Sequence, residues 1–187
     1  MELKNLGRKF DIIECAGVLH HMKDPVRGLK VLLDLLKPHG LLQLGLYSEI
    51  ARQDIIKARE FIKKNKFKTT LEDIRNCRKK IYNDKDELWF KKIFYRKDFY
   101  STSTVRDLIF NVQEHRFSLL QISKILKNLN LEFLGFADTL IKRKYIKFFP
   151  EDKNNTSLEN WHQFEIDNPD AFLGMYSFYV GKKENVI

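Results

Sequence analysis

The chain has 187 residues and a mass of 22.4 kDa, is 43% hydrophobic and 13% aromatic, and carries 34 basic against 25 acidic side chains, a net charge of +9. That size supports one domain, or one domain with a large insertion, and the apolar content excludes general disorder. No apolar run approaches the roughly 18 residues of a membrane span, the first twenty residues lack a cleavable signal pattern, and Cys15 and Cys77 are too few for a disulfide framework or a zinc site, all of which suits a reducing cytoplasm.

Phe10 to Val18, FDIIECAGV, reads as a strand suited to the centre of a parallel sheet. Asp24 then offers an N-cap and Pro25 a first helical position. Leu29, Leu32, Leu33 and Leu36 follow at helical spacing, and Lys37-Pro38-His39-Gly40 reads as the helix stop. Leu41 to Tyr47 is a second buried strand, which completes a parallel βαβ unit. Ser48 to Lys80 reads as polar helix, and Asp84 to Tyr100 as aromatic-rich and irregular. Thr104 with Asp107 predicts a capping box for a helix reaching about Glu114, and Ser118 with Gln121 predicts another. Leu131 to Phe136 is a third strand. Thr156 with Glu159 predicts the start of a short helix holding Leu158 and Trp161, which Asn168-Pro169 ends. Phe172 to Val180 is the last strand.

The charge is uneven. Ten basic residues between Lys57 and Lys80 face only Glu60, Glu72 and Asp73, leaving +7. With Lys142-Arg143-Lys144, this stripe is a candidate nucleic-acid surface; the alternative is a solvated helical face.

FDIIECAGVLHHMKDP, the leucine helix and LKPHGLLQLGLYSEIAR together resemble the second half of class I S-adenosylmethionine-dependent methyltransferases. Downstream, FYSTSTVRDLIFNVQEHRFSLLQI, LEFLGF and NPDAFLGMYSFYV are similar to bacterial methyltransferases associated with tetratricopeptide repeats. The resemblance runs from about Leu3 to Lys182. It implies an α/β fold, a partial Rossmann-like sheet holding strands 4-5-7-6 of the family's seven, with a helical insertion over about residues 48–118. Phe10–Cys15 would be the fourth strand, Leu41–Tyr47 the fifth, Leu131–Phe136 the sixth and Phe172–Val180 the seventh, all in one incomplete domain over 1–187.

The family holds its cofactor on a glycine-rich first loop, where backbone must approach the ligand closely. Here no two glycines lie within four residues of each other, and no acidic residue matches the family's ribose ligand. The first three strands are therefore expected to be absent, leaving one wall of the S-adenosylmethionine crevice. The first strand becomes an exposed edge. Half-exposing Phe10, Ile12, Ile13 and Val18 would forfeit on the order of 3–6 kcal/mol, so an aggregation-prone fragment, or one completed by a partner carrying the other half, is expected.

By resemblance, Cys15, Ala16, Gly17, Val18 and Leu19 would contact the cofactor. His20 or His21 is a candidate base, because imidazole titrates near neutral pH; the alternative is that one packs the loop and the other faces solvent. Tyr47 could line the substrate side or merely pack. Glu114, His115 and Arg116, in an insertion of the kind that covers substrate in this family, are candidate acceptor contacts; helix-end chemistry is the alternative. A metal at His20, His21 and Asp24 fits no standard spacing, and a nucleophilic Cys15 would sit on a buried strand. The reading is methyl transfer to an unknown acceptor; the alternative is a non-catalytic module that acts with a partner chain and binds nucleic acid through the basic insertion.

Overall fold

A computed structural model describes residues 6–84, 88–111 and 113–183. The chain divides into two compact units, residues 1–51 with 113–187 and residues 52–112.

The first unit is built on a four-stranded sheet of β1 (Phe10–Ala16), β2 (Leu36–Leu46), β3 (Leu131–Phe136) and β4 (Tyr176–Lys182), in the order β1-β2-β4-β3. β1 and β2 are parallel, and β4 is antiparallel to both of its neighbours. Between β1 and β2 runs α1 (Pro25–Leu35). It starts as the sequence predicts: the Arg27 amide donates to the Asp24 carboxylate at 2.9 Å, and Pro25 holds the first position. Leu29, Leu32 and Leu35 are buried.

The predicted stop needs correction. α1 ends at Leu35 and β2 begins at once, so Lys37-Pro38-His39-Gly40 lies in the strand. The pairing register steps from Phe10 to Ile12 on β1 while it steps from Leu36 to Leu41 on β2. Proline has no amide to donate to a ladder, and the extra residues are taken up as an irregularity around it. Regular pairing then runs from Ile12 opposite Leu41 to Ala16 opposite Gly45.

β1 has a sheet neighbour on its β2 side alone among the described residues. Ile12 is 69% and Val18 52% exposed, while Phe10 and Ile13 are half-buried. A bare apolar edge favours pairing with other chains. Ile12→Lys is therefore expected to lower self-association, read by light scattering, while leaving the denaturation midpoint nearly unchanged because the site is exposed.

The remaining elements of this unit cover the sheet. Ser118 and Gln121 form the predicted reciprocal capping box for α6 (Leu119–Asn128). α7 (Thr139–Phe148) has no counterpart in the sequence reading; Asp138 caps it by accepting from the Leu140 and Ile141 amides. α8 (Leu158–Asp167) starts one residue later than expected. Ser157, not Thr156, is its cap and accepts from Asn160, while the Thr156 amide donates to Asp152. β4 begins at Tyr176 rather than Phe172, whose ring instead packs 4.7 Å from Phe136 in the core. Trp161 centres that core. It is fully buried, stacked at 3.6 Å and 12° on Tyr145, and its indole N–H donates to the Asn155 carbonyl.

The second unit is helical: α2 (Gln53–Lys64), α3 (Leu71–Asn83), α4 (Leu88–Phe94) and α5 (Thr102–Val105), which passes into a π-helical turn, Arg106–Phe110. The predicted polar helix is thus two, separated at Lys66 with its φ of 58° and restarted by the Thr70 cap on Asp73. The stretch expected to be irregular contains α4. The Thr104–Asp107 box does not form, because the helix has already started at Thr102 and the Thr104 hydroxyl donates backwards to the Asp98 carbonyl. The helix ends short of Glu114. This unit has its own apolar core, including Ile55, Ile74, Ile81, Phe90 and Phe110. Cys77 lies within it, and burial pushes its thiol up to about 12. A bidentate pair joins Arg96 to buried Asp54 at 2.7 and 2.8 Å.

Candidate functional site

The carboxyl ends of the parallel strands gather most of the predicted residues of the first unit. In open α/β sheets this end carries the ligand crevice. Ala16 ends β1 directly beside Gly45 of β2, and a Cβ on Gly45 would stand 2.8 Å from the Ala16 backbone, so close strand approach requires glycine. Gly17 then turns the chain with φ +74°, a left-handed conformation that glycine adopts without strain, and open space lies where its Cβ would be. Val18 follows, exposed, and Leu19 is buried. Cys15 is buried too, and desolvation raises its thiol pKa, so it remains a neutral thiol and not a nucleophilic thiolate.

Leu19 to His21 form a single 3-10 turn. It places the two histidines differently. His20 is fully buried and stacks on Tyr47 with ring centroids 3.8 Å apart. His21 lies edge-on to His20 at 4.4 Å, and its Nδ1 is 3.1 Å from the Gln113 carbonyl. A carbonyl can only accept, so Nδ1 carries the hydrogen, and in neutral His21 the lone pair lies on Nε2. Tyr47, just beyond β2, is therefore a packing partner of His20.

Gln113-Glu114-His115-Arg116 requires correction. The cluster is not at a helix end but on a segment outside regular secondary structure, so the helix dipole plays no part. The segment is tied to the histidine turn by the His115 amide, which donates to the His20 carbonyl at 2.8 Å. It is tied to the chain just beyond β2 by the Phe117 amide donating to the Tyr47 carbonyl and the Glu49 amide donating to the Phe117 carbonyl. Glu114 and Arg116 form an ion pair at 3.6 Å with the Glu114 side chain buried. Thus Cys15 to His21, Tyr47 and Gln113 to His115 share one end of the sheet.

One buried group next to this site escapes the sequence reading. Ser48, directly after Tyr47, donates its hydroxyl to Glu165 Oε1 at 2.5 Å, and the Tyr176 hydroxyl donates to Glu165 Oε2 at 2.6 Å. The Ala51 amide donates to Ser48 Oγ at 2.9 Å. Ser48, Glu165 and Tyr176 are all fully buried. Burial raises the Glu165 pKa, opposed by the two hydroxyl bonds, and burial and the neighbouring carboxylate raise that of Tyr176. The signal was present: Glu165 follows Leu158 and Trp161 at i+7 and i+4 on the apolar face of α8. Among the described residues no group of three or more His, Cys, Asp or Glu is arranged to hold a metal.

No family model matches the chain. An uncharacterized protein of Synechococcus sp., syc1184_c, is 44% identical over 61 residues, 33% of this chain and 15% of that protein. Among solved structures, PKMT2 from Rickettsia typhi superposes with a TM-score of 0.66 at 18% identity over 98% of this chain. PKMT2 in complex with AdoHcy gives 0.67 at 18% identity over the same share. The fold is similar to that of PKMT2. Each superposition covers 38% of the PKMT2 chain, so this chain spans well under half the length of the structure it matches. The mixed α/β fold expected from the sequence is therefore present, with a likeness that extends over nearly the whole chain.

Proposed function

We propose that this chain forms part of an S-adenosylmethionine-dependent methyltransferase and supplies one wall of the cofactor crevice. The observation that carries this reading is the turn at the end of β1, Ala16 to His21, on a fold like that of a protein solved with AdoHcy. In this reading β1, β2, β4 and β3 correspond to strands 4, 5, 7 and 6 of the methyltransferase sheet. Their order and directions support that assignment. The wall is apolar and backbone-rich at Ala16, Gly17 and Val18, which suits the flat adenine face of such a cofactor; buried Leu19 and Cys15 support it from behind.

S-adenosylmethionine supplies an activated methyl group with a good leaving group, so positioning is the main task of the protein. His21 is the base in this reading. Its Nδ1–H to Gln113 fixes the ring and leaves Nε2 to accept a proton from the acceptor. His20 is a positioning residue, clamped on Tyr47 and holding the 113–117 segment through its carbonyl. His115 and Arg116 face the acceptor from that segment, and buried Glu114, paired with Arg116, holds the latter in place. A polypeptide that adds strands to the β1 edge would complete the crevice.

A one-walled site binds weakly, so the test must register millimolar contact. Titration of AdoHcy into the isotopically labelled chain is expected to shift the amide resonances of Gly17 to His21. Gly17→Val, which forces a β-branched residue into a left-handed conformation, is expected to abolish those shifts. Shifts confined to other regions, or none, would overturn the assignment.

A further inference from the structure

The second unit carries a different kind of surface, independent of the methyl-transfer reading. Residues 52–112 contain 17 basic and 9 acidic side chains, net +8, whereas the rest of the chain contains 17 and 16, net +1. Nearly all the excess charge therefore belongs to this unit. Its arginines are largely committed to the fold: Arg96 pairs with Asp54, Arg59 donates to the Leu108 carbonyl and Arg106 to that of Thr69. The exposed cations are mainly lysines, among them Lys63, Lys64, Lys79, Lys91 and Lys97.

Among the described residues of this unit, four rings form a continuous row. Tyr82 of α3 meets Phe94 of α4 at 5.9 Å, Phe94 meets Phe99 at 5.4 Å, and Phe99 meets Tyr100 at 5.9 Å. Phe99 is buried, whereas Tyr82 is 60% and Tyr100 61% exposed. Tyr95, next to the row, is 81% exposed. The row is braced: the Tyr100 hydroxyl donates to the Phe94 carbonyl, and Arg78 donates to the Tyr100 carbonyl while lying over the Phe99 ring at 5.7 Å. Lys79 stands three residues before Tyr82 on the same helical face, and exposed Lys97 three before Tyr100.

We propose that this unit binds single-stranded nucleic acid, with Tyr82 and Tyr100 as stacking platforms for bases and the flanking lysines, Lys79 and Lys97 among them, neutralising backbone phosphates. Scattered exposed tyrosines are ordinary. Tyrosines held in a rigid aromatic row, inside the unit that owns the positive charge, combine the two features that sequence-tolerant single-strand binding needs. An acidic protein would use the lysines but leave the rings idle, and a duplex would hide its base faces.

The test is fluorescence anisotropy of a labelled oligouridylate of about 15 nucleotides, a length within the usual single-strand site size, titrated with the full chain at several salt concentrations. Saturable binding is expected, weakening with salt at a log–log slope of about −2 to −3, as roughly three or four phosphate contacts require. Tyr82→Ala with Tyr100→Ala should weaken binding at least about tenfold, as lost stacking implies, whereas the corresponding Phe pair should stay within about twofold. Lys79→Gln with Lys97→Gln should lower the slope by about 1.4, and gives an independent reading if the alanine pair unfolds by circular dichroism. No binding at low salt, equal binding of polyglutamate, tighter binding of the matching duplex, indifference to the folded alanine pair or an unchanged slope in the lysine pair would each overturn the proposal.

Discussion

Glu165→Ala is expected to cost about 3–5 kcal/mol of folding stability, because it strands two buried hydroxyl donors at about 1–3 kcal/mol each and opens a cavity. Those donors are Ser48 and Tyr176, each with Glu165 as its carboxylate partner. Glu165→Gln keeps an acceptor and adds a donor, so it is expected to stay within about 1.5 kcal/mol of the parent. The two substitutions also differ in pH dependence. Burial raises the carboxyl pKa of Glu165 in the folded chain above its ordinary value of 4.5. The folded state therefore holds this proton more tightly than the unfolded state. The resulting stability is full below pH 4.5 and is lost as pH rises through the folded value. Urea titrations of the parent and the Gln variant across this range should show the parent losing stability relative to the variant as pH rises. A parallel pH course would mean that Glu165 titrates normally.

The second large effect is at Trp161. Trp161→Ala is expected to cost about 3–5 kcal/mol, the usual range for emptying a buried aromatic site. The ring touches Tyr145, Phe136, Phe164 and Phe172, which lie on α7, β3, α8 and the approach to β4. One deletion thus loosens four segments, and the Asn155 carbonyl loses its indole donor. Against a total stability of about 5–15 kcal/mol for an ordinary domain, the variant should be close to unfolded at physiological temperature. A denaturant midpoint that falls with an unchanged slope would confirm a pure stability loss. A cost below about 1 kcal/mol would mean that the cluster is not closely packed.

These two sites show what could and could not be read from the sequence. Local signals worked where the chain's own neighbours decide the outcome. Asp24-Pro25 starts α1, Ser118 with Gln121 caps α6, and LEFLGF is a strand from its first residue to its last. The same signals misled where a competing partner lay nearby. Lys37-Pro38-His39-Gly40 has the composition of a turn, yet β1 draws it into the sheet as an irregular strand. T-x-x-D at Thr104 has the spacing of a box, yet Ser101 already precedes the helix and the Thr104 hydroxyl is occupied at Asp98. At the candidate site, the sequence placed Cys15 to His21 around the end of the first strand, but that strand stops at Ala16 and not Val18, because the chain turns at Gly17. It could not foresee that the 113–116 segment would lie outside any helix, because that depends on backbone bonds to Tyr47 and His20 from distant residues. The Ser48–Glu165 bond spans 117 residues and has no local signature beyond an acidic residue on an apolar helix face.

The strand order also sets a timetable for synthesis. β2 pairs with β4 through Leu42 opposite Val180, so the inner edge of β2 stays bare until nearly all of these residues have been made. The second unit is one unbroken stretch of chain with its own core. Emerging from the ribosome, it can fold while β1, α1 and β2 still wait for their sheet. The early strands are then the vulnerable intermediate, held open for the time the ribosome needs to reach the last strand, and any chaperone dependence of this chain should centre on them.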